Sequence, residues 1–403
     1  MTANPEQLAK LTAAIEAADP VALLADLVRT PSHPGIDRQE EAVVNVLERF
    51  LARFHLEATR VEVVTGRPNL LCTLSGARPG RRLLLCGHSD TVPLNAGDPG
   101  VAFSAEIRDG RMLGRGTVDM KGALAAMAAA MVALHQEGTL GAGAVTLGAV
   151  VDEEMESLGA EHLVRSGFSA DGAIVGEPSG NRIYLGHKGL EWLSIDFLGR
   201  AAHGGTPQAG INAIVAAARF ISRVAAELVP RFAPRAHPLL GPPTINCGTI
   251  RGGDQPSTVA ASCTLTVDRR ALPGESYSSM CAELEELLAA VRAELPGLRT
   301  ELRRMPGGMA TMEHVAFVTE AEHPIVQSAS SACRAVRGSA GELGAFQAWT
   351  DGALLSAHGG IPTIILGPGD LSLAHSPTES VPLAEITEAA RIYAATALEF
   401  CAG

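Results

Sequence analysis

The feature that most restricts the fold of this chain is a pattern repeated between Leu83 and Glu177: a short apolar run, then histidine or acid, then a helix-forming stretch. Leu83–Cys86 leads into Gly87-His88-Ser89-Asp90, Ala144–Val151 into Asp152-Glu153-Glu154, and Ala173–Val175 into Gly176-Glu177. Apolar runs without alternation read as strands buried on both faces, the signature of a mostly parallel sheet covered by helices. Between the first two runs, Lys121 to His135 is almost wholly Ala, Met and Leu, and a helix so apolar must itself be buried. The pattern predicts an α/β fold with its chemistry at the carboxyl ends of the strands.

Those ends carry specific implications. Residues two apart on a strand point the same way, so if His88 binds a metal through one ring nitrogen, Asp90 is placed to accept the N–H of the other; a satisfied histidine beside a turn aspartate is the alternative reading. Three adjacent acids, Asp152 to Glu154, repel each other at a buried strand end unless a cation compensates them, although a solvated loop would also hold them. Asp119 stands at the buried amino end of the apolar helix, either as an N-cap or as a carboxylate held by the helix dipole for another purpose.

At 403 residues, with 46% hydrophobic and 19% charged residues, the chain has the balance of an ordered globular protein of about two domains. A formal net charge of -12 argues against a nucleic-acid partner. Seven cysteines, an odd number with no CxxC spacing and mostly inside apolar runs (Cys72, Cys86, Cys263), read as reduced core residues. Met1 to Lys10 is polar and lacks a basic segment followed by an apolar one, and no run is long enough to span a membrane. The expectation is a cytoplasmic protein with no signal peptide and no membrane or nucleic-acid partner.

Ahead of the central pattern, residues 5–30 carry helical periodicity up to a Pro31-Ser32-His33-Pro34-Gly35 turn. A second helix is expected from about Asp37 to Phe54, and short strands at 61–64 and 69–74. Beyond Ile183 the pattern changes: Leu190–Leu198 alternates like a half-exposed antiparallel strand, with Trp192 out of phase with Leu193, Ile195 and Phe197. A helix at about 211–228, strands at 244–250 and 259–267, a helix at 276–294 and a strand at 298–303 complete an inserted α+β sandwich. Joints near 183 and 308 divide the chain into 1–182, 183–308 and 309–403. The last part resumes the first domain with a helix at 324–335, a strand at 362–366, the turn Gly367-Pro368-Gly369, the pair Ala374-His375 and a closing helix at 383–400.

Two histidines and several carboxylates make a mixed nitrogen and oxygen donor set, which suits zinc or cobalt better than calcium and, without thiolates, is not a purely structural zinc site. More than four donors point to two metals sharing a carboxylate, with a further carboxylate needed as general base. The segments Gly87–Pro93, Gly114–Gly122, Asp152-Glu153-Glu154, Gly176-Glu177-Pro178, Ala202-His203 and Leu366–Gly369 with Ala374-His375, in this order, resemble the M20 family of metallopeptidases and deacylases. The resemblance covers essentially the whole chain and is strongest to the acetylornithine deacetylase and succinyl-diaminopimelate desuccinylase group.

The resemblance implies an α/β zinc-peptidase-like catalytic domain with a mostly parallel mixed sheet, plus an inserted α+β sandwich that serves as lid and dimerisation domain. It implies that His88 and Glu177 bind one metal, Glu154 and His375 the other, and that Asp119 bridges them. Glu153 matches the general base, Asp90 the partner of His88, and the Asp119–Met120 peptide is expected to be cis. His203 matches a histidine that reaches, often from the partner subunit, to stabilise the oxyanion; Arg270 matches the arginine that grips the free carboxylate of the substrate, with Arg269 facing away as a structural residue.

The chain departs from the family pattern at Ser257-Thr258-Val259-Ala260, where Ser257 stands in place of a substrate-contacting asparagine. It also places Trp349 before Thr350-Asp351-Gly352, where the indole either narrows the substrate pocket or belongs to the core. Ser257 and Gly352 complete the expected substrate contacts. The implied activity is a dinuclear, metal-dependent hydrolysis of the amide of a small N-acyl amino acid by a hydroxide held between two divalent ions. Zn2+ is expected, with Co2+ or Mn2+ as alternatives, in a homodimer formed through the lid. A dipeptidase or carboxypeptidase on the same site is the alternative, and a catalytically silent binding protein a third reading.

Overall fold

The computed structural model describes residues 5–94, 100–305 and 312–403. It divides into two compact units: one comprises the described residues up to Gly186 with Val318–Phe346 and Thr350–Gly403, and the other His187–Phe317 with Gln347–Trp349. The joint expected at 308 lies outside the described residues, and the chain changes unit at Phe317 instead. The segment before that point stays with the second unit because Leu190 N donates to His314 O at 2.8 Å, and Trp349 stacks on the His314 ring with centroids 3.8 Å apart.

The first unit is built on a nine-stranded mixed sheet. Its centre is formed by Ala142–Val150, Arg78–His88, Gly172–Val175 and Thr363–Ile365, which run parallel to one another. Arg67–Ser75 and Tyr184–His187 flank this block in antiparallel fashion; the latter strand is too short and mixed to stand out in the sequence. Both faces are covered, which explains the uninterrupted apolar runs. On one face Leu84 and Cys86 pack with Val150, Leu163, Val175 and Leu355. On the other lie the helices Lys121–Gln136 and Leu383–Ala402, which pack against each other and against the strand Arg78–His88.

The helix Lys121–Gln136 is buried from Lys121 to Leu134, as its all-apolar composition requires. Its approach to the sheet depends on Gly176, where an added Cβ would lie 2.6 Å from the Ala123 side chain. The helix starts one residue later than an Asp119 cap would need: Met120 occupies the N-cap position, and the Asp119 side chain is free for other contacts. Near the amino end, the single helical stretch expected over residues 5–30 is two helices, Pro5–Ala18 and Pro20–Val28. Pro20 has no N–H to continue the first helix, and Asp19, in left-handed backbone (φ 55°), caps the second by accepting from Ala22 N at 3.0 Å.

The second unit carries a four-stranded antiparallel sheet in the order Thr244–Gly252, Ser262–Ala271, Gly189–Leu198, Arg299–Arg304. One face packs Leu193, Ile195 and Phe197 against Phe220 of the helix Ala213–Arg223 and Leu284 and Leu288 of the helix Tyr277–Glu294. Trp192, out of phase with that row, is exposed. The helix expected to run on to 228 ends its α-helical part at Arg223 and continues as a π turn, Val224–Leu228. All seven cysteines are free thiols, and no helix among the described residues is long and apolar enough to cross a membrane.

Candidate active site

The parallel block delivers its carboxyl ends side by side. The register that sets His88 beside Val150 and Cys86 beside Val175 brings Asp90, the Glu153-Glu154 pair and Glu177 to one edge of the sheet. The loop before the helix Lys121–Gln136 contributes Asp119, and the loop after Thr363–Ile365 contributes His375 in left-handed backbone (φ 59°). The Asp119–Met120 peptide is cis, as the resemblance implies.

Asp119 stands between the two imidazoles. His88 Nε2 is 2.9 Å from Asp119 Oδ1, and His375 Nε2 is 3.1 Å from Asp119 Oδ2. His88 Nε2 also faces Glu177 Oε1 at 3.7 Å, and His375 Nε2 faces Glu154 Oε1 at 3.2 Å. Each oxygen of one carboxylate thus serves one half of the site. Two overlapping groups of donor atoms, each mutually within 4.8 Å, are His88 with Glu153 and Glu177, and His88 with Asp119 and Glu154.

The donor set fits divalent metal ions on electrostatic grounds. Burial pushes the carboxyls of Glu153 and Glu177 well above their ordinary range, with Glu177 and Asp119 respectively adding repulsion. Hydrogen bonds to Asp119 and Glu154 raise the His375 imidazole to about 10. Burial disfavours the His88 cation, yet its bonds to Asp119 and Asp90 hold that ring well above the usual range too. Buried acids that draw protons onto both imidazoles mark a place that demands positive charge; neutral imidazoles and ionised carboxylates around cations meet the same demand.

Asp90 is fully buried, and its role differs in one respect from the expectation. His88 Nδ1 lies 3.1 Å from the backbone O of Asp90 and 3.4 Å from its carboxylate, so the nearer acceptor is the carbonyl. The two carboxylate oxygens instead accept from Glu153 N at 3.2 Å and Glu154 N at 3.1 Å. Asp90 therefore steadies the histidine chiefly through its carbonyl, and through its carboxylate the backbone that carries the adjacent acids.

The residues assigned to substrate fall in both units. Gly352, in the first, is buried, and its N–H donates to Thr350 Oγ1 at 3.1 Å. His203 and Ser257 lie together in the second: both are exposed, Gly204 N donates to Ser257 O at 2.7 Å, and His203 Nδ1 accepts from Gly205 N at 3.0 Å. Arg270 is half-buried with Nε and Nη2 on the two oxygens of Asp268 at 2.8 and 3.1 Å, and Trp192 Nε1 donates to the same Asp268 Oδ2. Arg269 points to the opposite face, fully buried, and donates to Glu283 at 3.2 Å.

Several supporting residues leave little signal in the sequence. Glu379 is buried; its Oε1 accepts from Val118 N at 3.0 Å and Asp119 N at 3.3 Å, while Oε2 accepts from Arg115 Nη1 at 2.6 Å. It ties the loop of His375 to the loop of Asp119. Lys121 Nζ, fully buried, donates to Leu27 O at 3.0 Å and Thr30 O at 2.8 Å, which fixes the end of the helix Pro20–Val28. Arg67 and Asn69 grip the turn that bears Glu153 and Glu154. A glutamate four residues after His375 is the one hint the sequence offers.

The profile of peptidase family M20/M25/M40 matches residues 84–399, the span that holds every donor described above. The chain belongs to this family. M20 members are metal-dependent hydrolases, and this chain carries groups of His, Asp and Glu that could hold a metal ion. Among similar sequences, the acetylornithine deacetylase of Proteus mirabilis (strain HI4320) is 30% identical over 398 residues, covering 94% of this chain and 96% of the relative. The acetylornithine deacetylase of Photorhabdus laumondii is 30% identical over 398 residues, covering 94% and 97%. Among solved structures, aminopeptidase PepT from Bacillus cereus has the same fold, with a TM-score of 0.78 at 22% identity over 94% of this chain and 98% of that one. An M20 metallo-carboxypeptidase from Sulfolobus solfataricus superposes with a TM-score of 0.77 at 17% identity, over 95% and 99%.

Proposed function

We propose that the protein is a two-metal amidohydrolase that removes a small acyl group from an N-acyl amino acid, with N-acetylornithine as the first substrate to test. The observation that carries the reading is the placement of the two Asp119 oxygens, one against His88 and the other against His375, with Glu177 and Glu154 completing the two halves. Relatives named acetylornithine deacetylase, matched over nearly their whole length, support the choice of substrate class.

In this reading His88, Glu177 and Asp119 hold one ion, and Asp119, Glu154 and His375 the other. Bound divalent ions, for which we favour Zn2+ over Co2+ or Mn2+, supply Lewis acidity toward the amide carbonyl and make water acidic near neutral pH. Glu153 accepts the proton of the attacking water and returns it to the leaving amine; its burial, which raises the carboxyl above its ordinary range, supports a proton-carrying role. His203 donates to the developing oxyanion, and Arg270, held in line by Asp268, binds the free carboxylate. Ser257 and Gly352 line the substrate. We place the enzyme in the cytoplasm, in keeping with its free thiols, as a homodimer through the inserted domain, 183–308 in the sequence.

The deciding experiment is amine release by metal-stripped protein with zinc or cobalt restored, across N-acetylornithine, N-succinyl-diaminopimelate, neutral N-acyl amino acids and unblocked dipeptides. Metal-restored release from a blocked amino acid supports the deacylase and names its acyl group. Release from dipeptides alone would make it a peptidase, and metal uptake without hydrolysis of any amide would favour a silent binding protein.

A further inference from the structure

We infer that Arg67 is a positioning residue for the general base and for one half of the metal site, acting through Asp152. This rests on the two-metal reading given above. The turn Val151–Gly159 carries Glu153 and Glu154 as neighbours, so a small rotation of its backbone moves both carboxylates. Asp152 opens the turn in left-handed backbone (φ 71°), a conformation disfavoured for residues other than glycine that persists where the surroundings enforce it.

Part of that enforcement is internal. Asp152 O accepts from Ser157 N at 2.6 Å, and Asp152 Oδ2 accepts from Glu156 N at 3.2 Å. These bonds close the turn on itself and do not fix its direction. Direction comes from the Asp90 carboxylate, which accepts from Glu153 N and Glu154 N, and from the strand Arg67–Ser75. Asn69, fully buried, clasps both ends: its Oδ1 accepts from Val151 N at 3.1 Å and its Nδ2 donates to Gly159 O at 2.9 Å. Arg67 Nη2 donates to Asp152 Oδ1 at 2.7 Å.

Arg67 is itself locked from behind. Its Nε and Nη2 donate to the two oxygens of Glu40 at 2.7 and 2.5 Å, and Glu40 is fully buried. A planar guanidinium reaches both acids at once with directed bonds, which an ammonium cannot copy. Charge reinforces geometry, because Asp152 would otherwise add a third negative group next to Glu153 and Glu154 with nothing to oppose it on that side. His88 and Glu177 stand at the ends of the separate strands Arg78–His88 and Gly172–Val175, and the link from the turn to His88 runs through Asp90. Loss of Arg67 therefore disturbs Glu153 and the Glu154 half selectively.

The test is calorimetric titration of the metal-stripped full-length protein with Zn2+, beside steady-state kinetics of the zinc-loaded protein on the best amide of the substrate panel. Arg67→Met is expected to weaken one of two binding steps about 10–100-fold and to lower kcat by a similar factor with little change in KM. The other step stays within about twofold, since its ligands lie on separate elements. Glu40→Gln, which loosens Arg67 without touching the turn, gives the same pattern to a smaller degree, and Arg67→Lys recovers only part of the loss. These milder variants carry the test should Arg67→Met not fold. Equal weakening of both steps, or unchanged binding and kcat with only a lower unfolding temperature, would overturn the inference. A wild-type protein that takes up one ion only would overturn the two-metal reading, and this inference with it.

Discussion

Glu379→Ala removes a carboxylate that makes three hydrogen bonds in the interior, to Val118 N, Asp119 N and Arg115 Nη1. Glu379 and Arg115 are each only 3% exposed, so the Arg115 guanidinium loses the Glu379 carboxylate where water reaches poorly. Breaking a buried pair in this way costs about 3–5 kcal/mol. The two backbone N–H groups lose their acceptor as well, at about 1–3 kcal/mol each when dry, although water entering the emptied space would offset much of that. We therefore expect a loss of about 4 kcal/mol for Glu379→Ala, and about half for Glu379→Gln, whose amide oxygen still accepts from the two N–H groups. Adding Arg115→Met to Glu379→Ala removes the charge that lost the Glu379 carboxylate and should return about 2 kcal/mol, a coupling that distant sites do not show.

The assay is urea unfolding of the metal-free protein followed by circular dichroism, because Trp192 and Trp349, the only tryptophans, both belong to the second unit and their fluorescence reports on it. With a slope of about 2–3 kcal/mol/M, the Ala variant shifts the midpoint of the first unit by roughly 1–2 M. Variants within about 0.5 kcal/mol of the parent, or an Arg115→Met background that recovers nothing, would refute the assignment of the ion pair as the tie between the Asp119 and His375 loops.

Glu153→Gln should retain both metals by elemental analysis and lose about 10²–10⁴-fold in kcat; unchanged turnover would remove Glu153 from the role of base. Exhaustive chelation should abolish activity and lower the unfolding temperature, with both restored by a divalent ion in proportion to its affinity. Arg270→Lys should raise KM roughly tenfold for substrates with a free carboxylate and leave their carboxamide analogues, already poor, little changed. Burial pushes the Cys72 and Cys333 thiols up to about 11 and Cys401 to about 12, so at pH 8 almost no thiolate exists there; mass spectrometry should find these three unalkylated by iodoacetamide until the protein is unfolded.

Much of this protein is determined locally and can be read from the sequence. The apolar runs at 83–86, 144–151 and 173–175 must be covered on both sides, the all-apolar helix must lie inside, and an acid or histidine at the end of each run then falls on the same edge of a parallel sheet. Side-chain period and burial settle those points without reference to distant residues. What tertiary structure decided is pairing. That the two oxygens of Asp119 divide between His88 and His375, that His375 meets Glu154 from 221 residues away, and that Arg67 reaches Asp152 across 85 residues depend on which loops close on which strands. The same holds for Asp90, whose carboxylate turned out to serve the backbone of Glu153 and Glu154 more closely than the ring of His88. Hydrogen bonds of this kind act over about 3 Å and carry no periodicity, so a polar residue at the start of a strand looks the same in sequence whether it faces solvent or holds a catalytic turn in place.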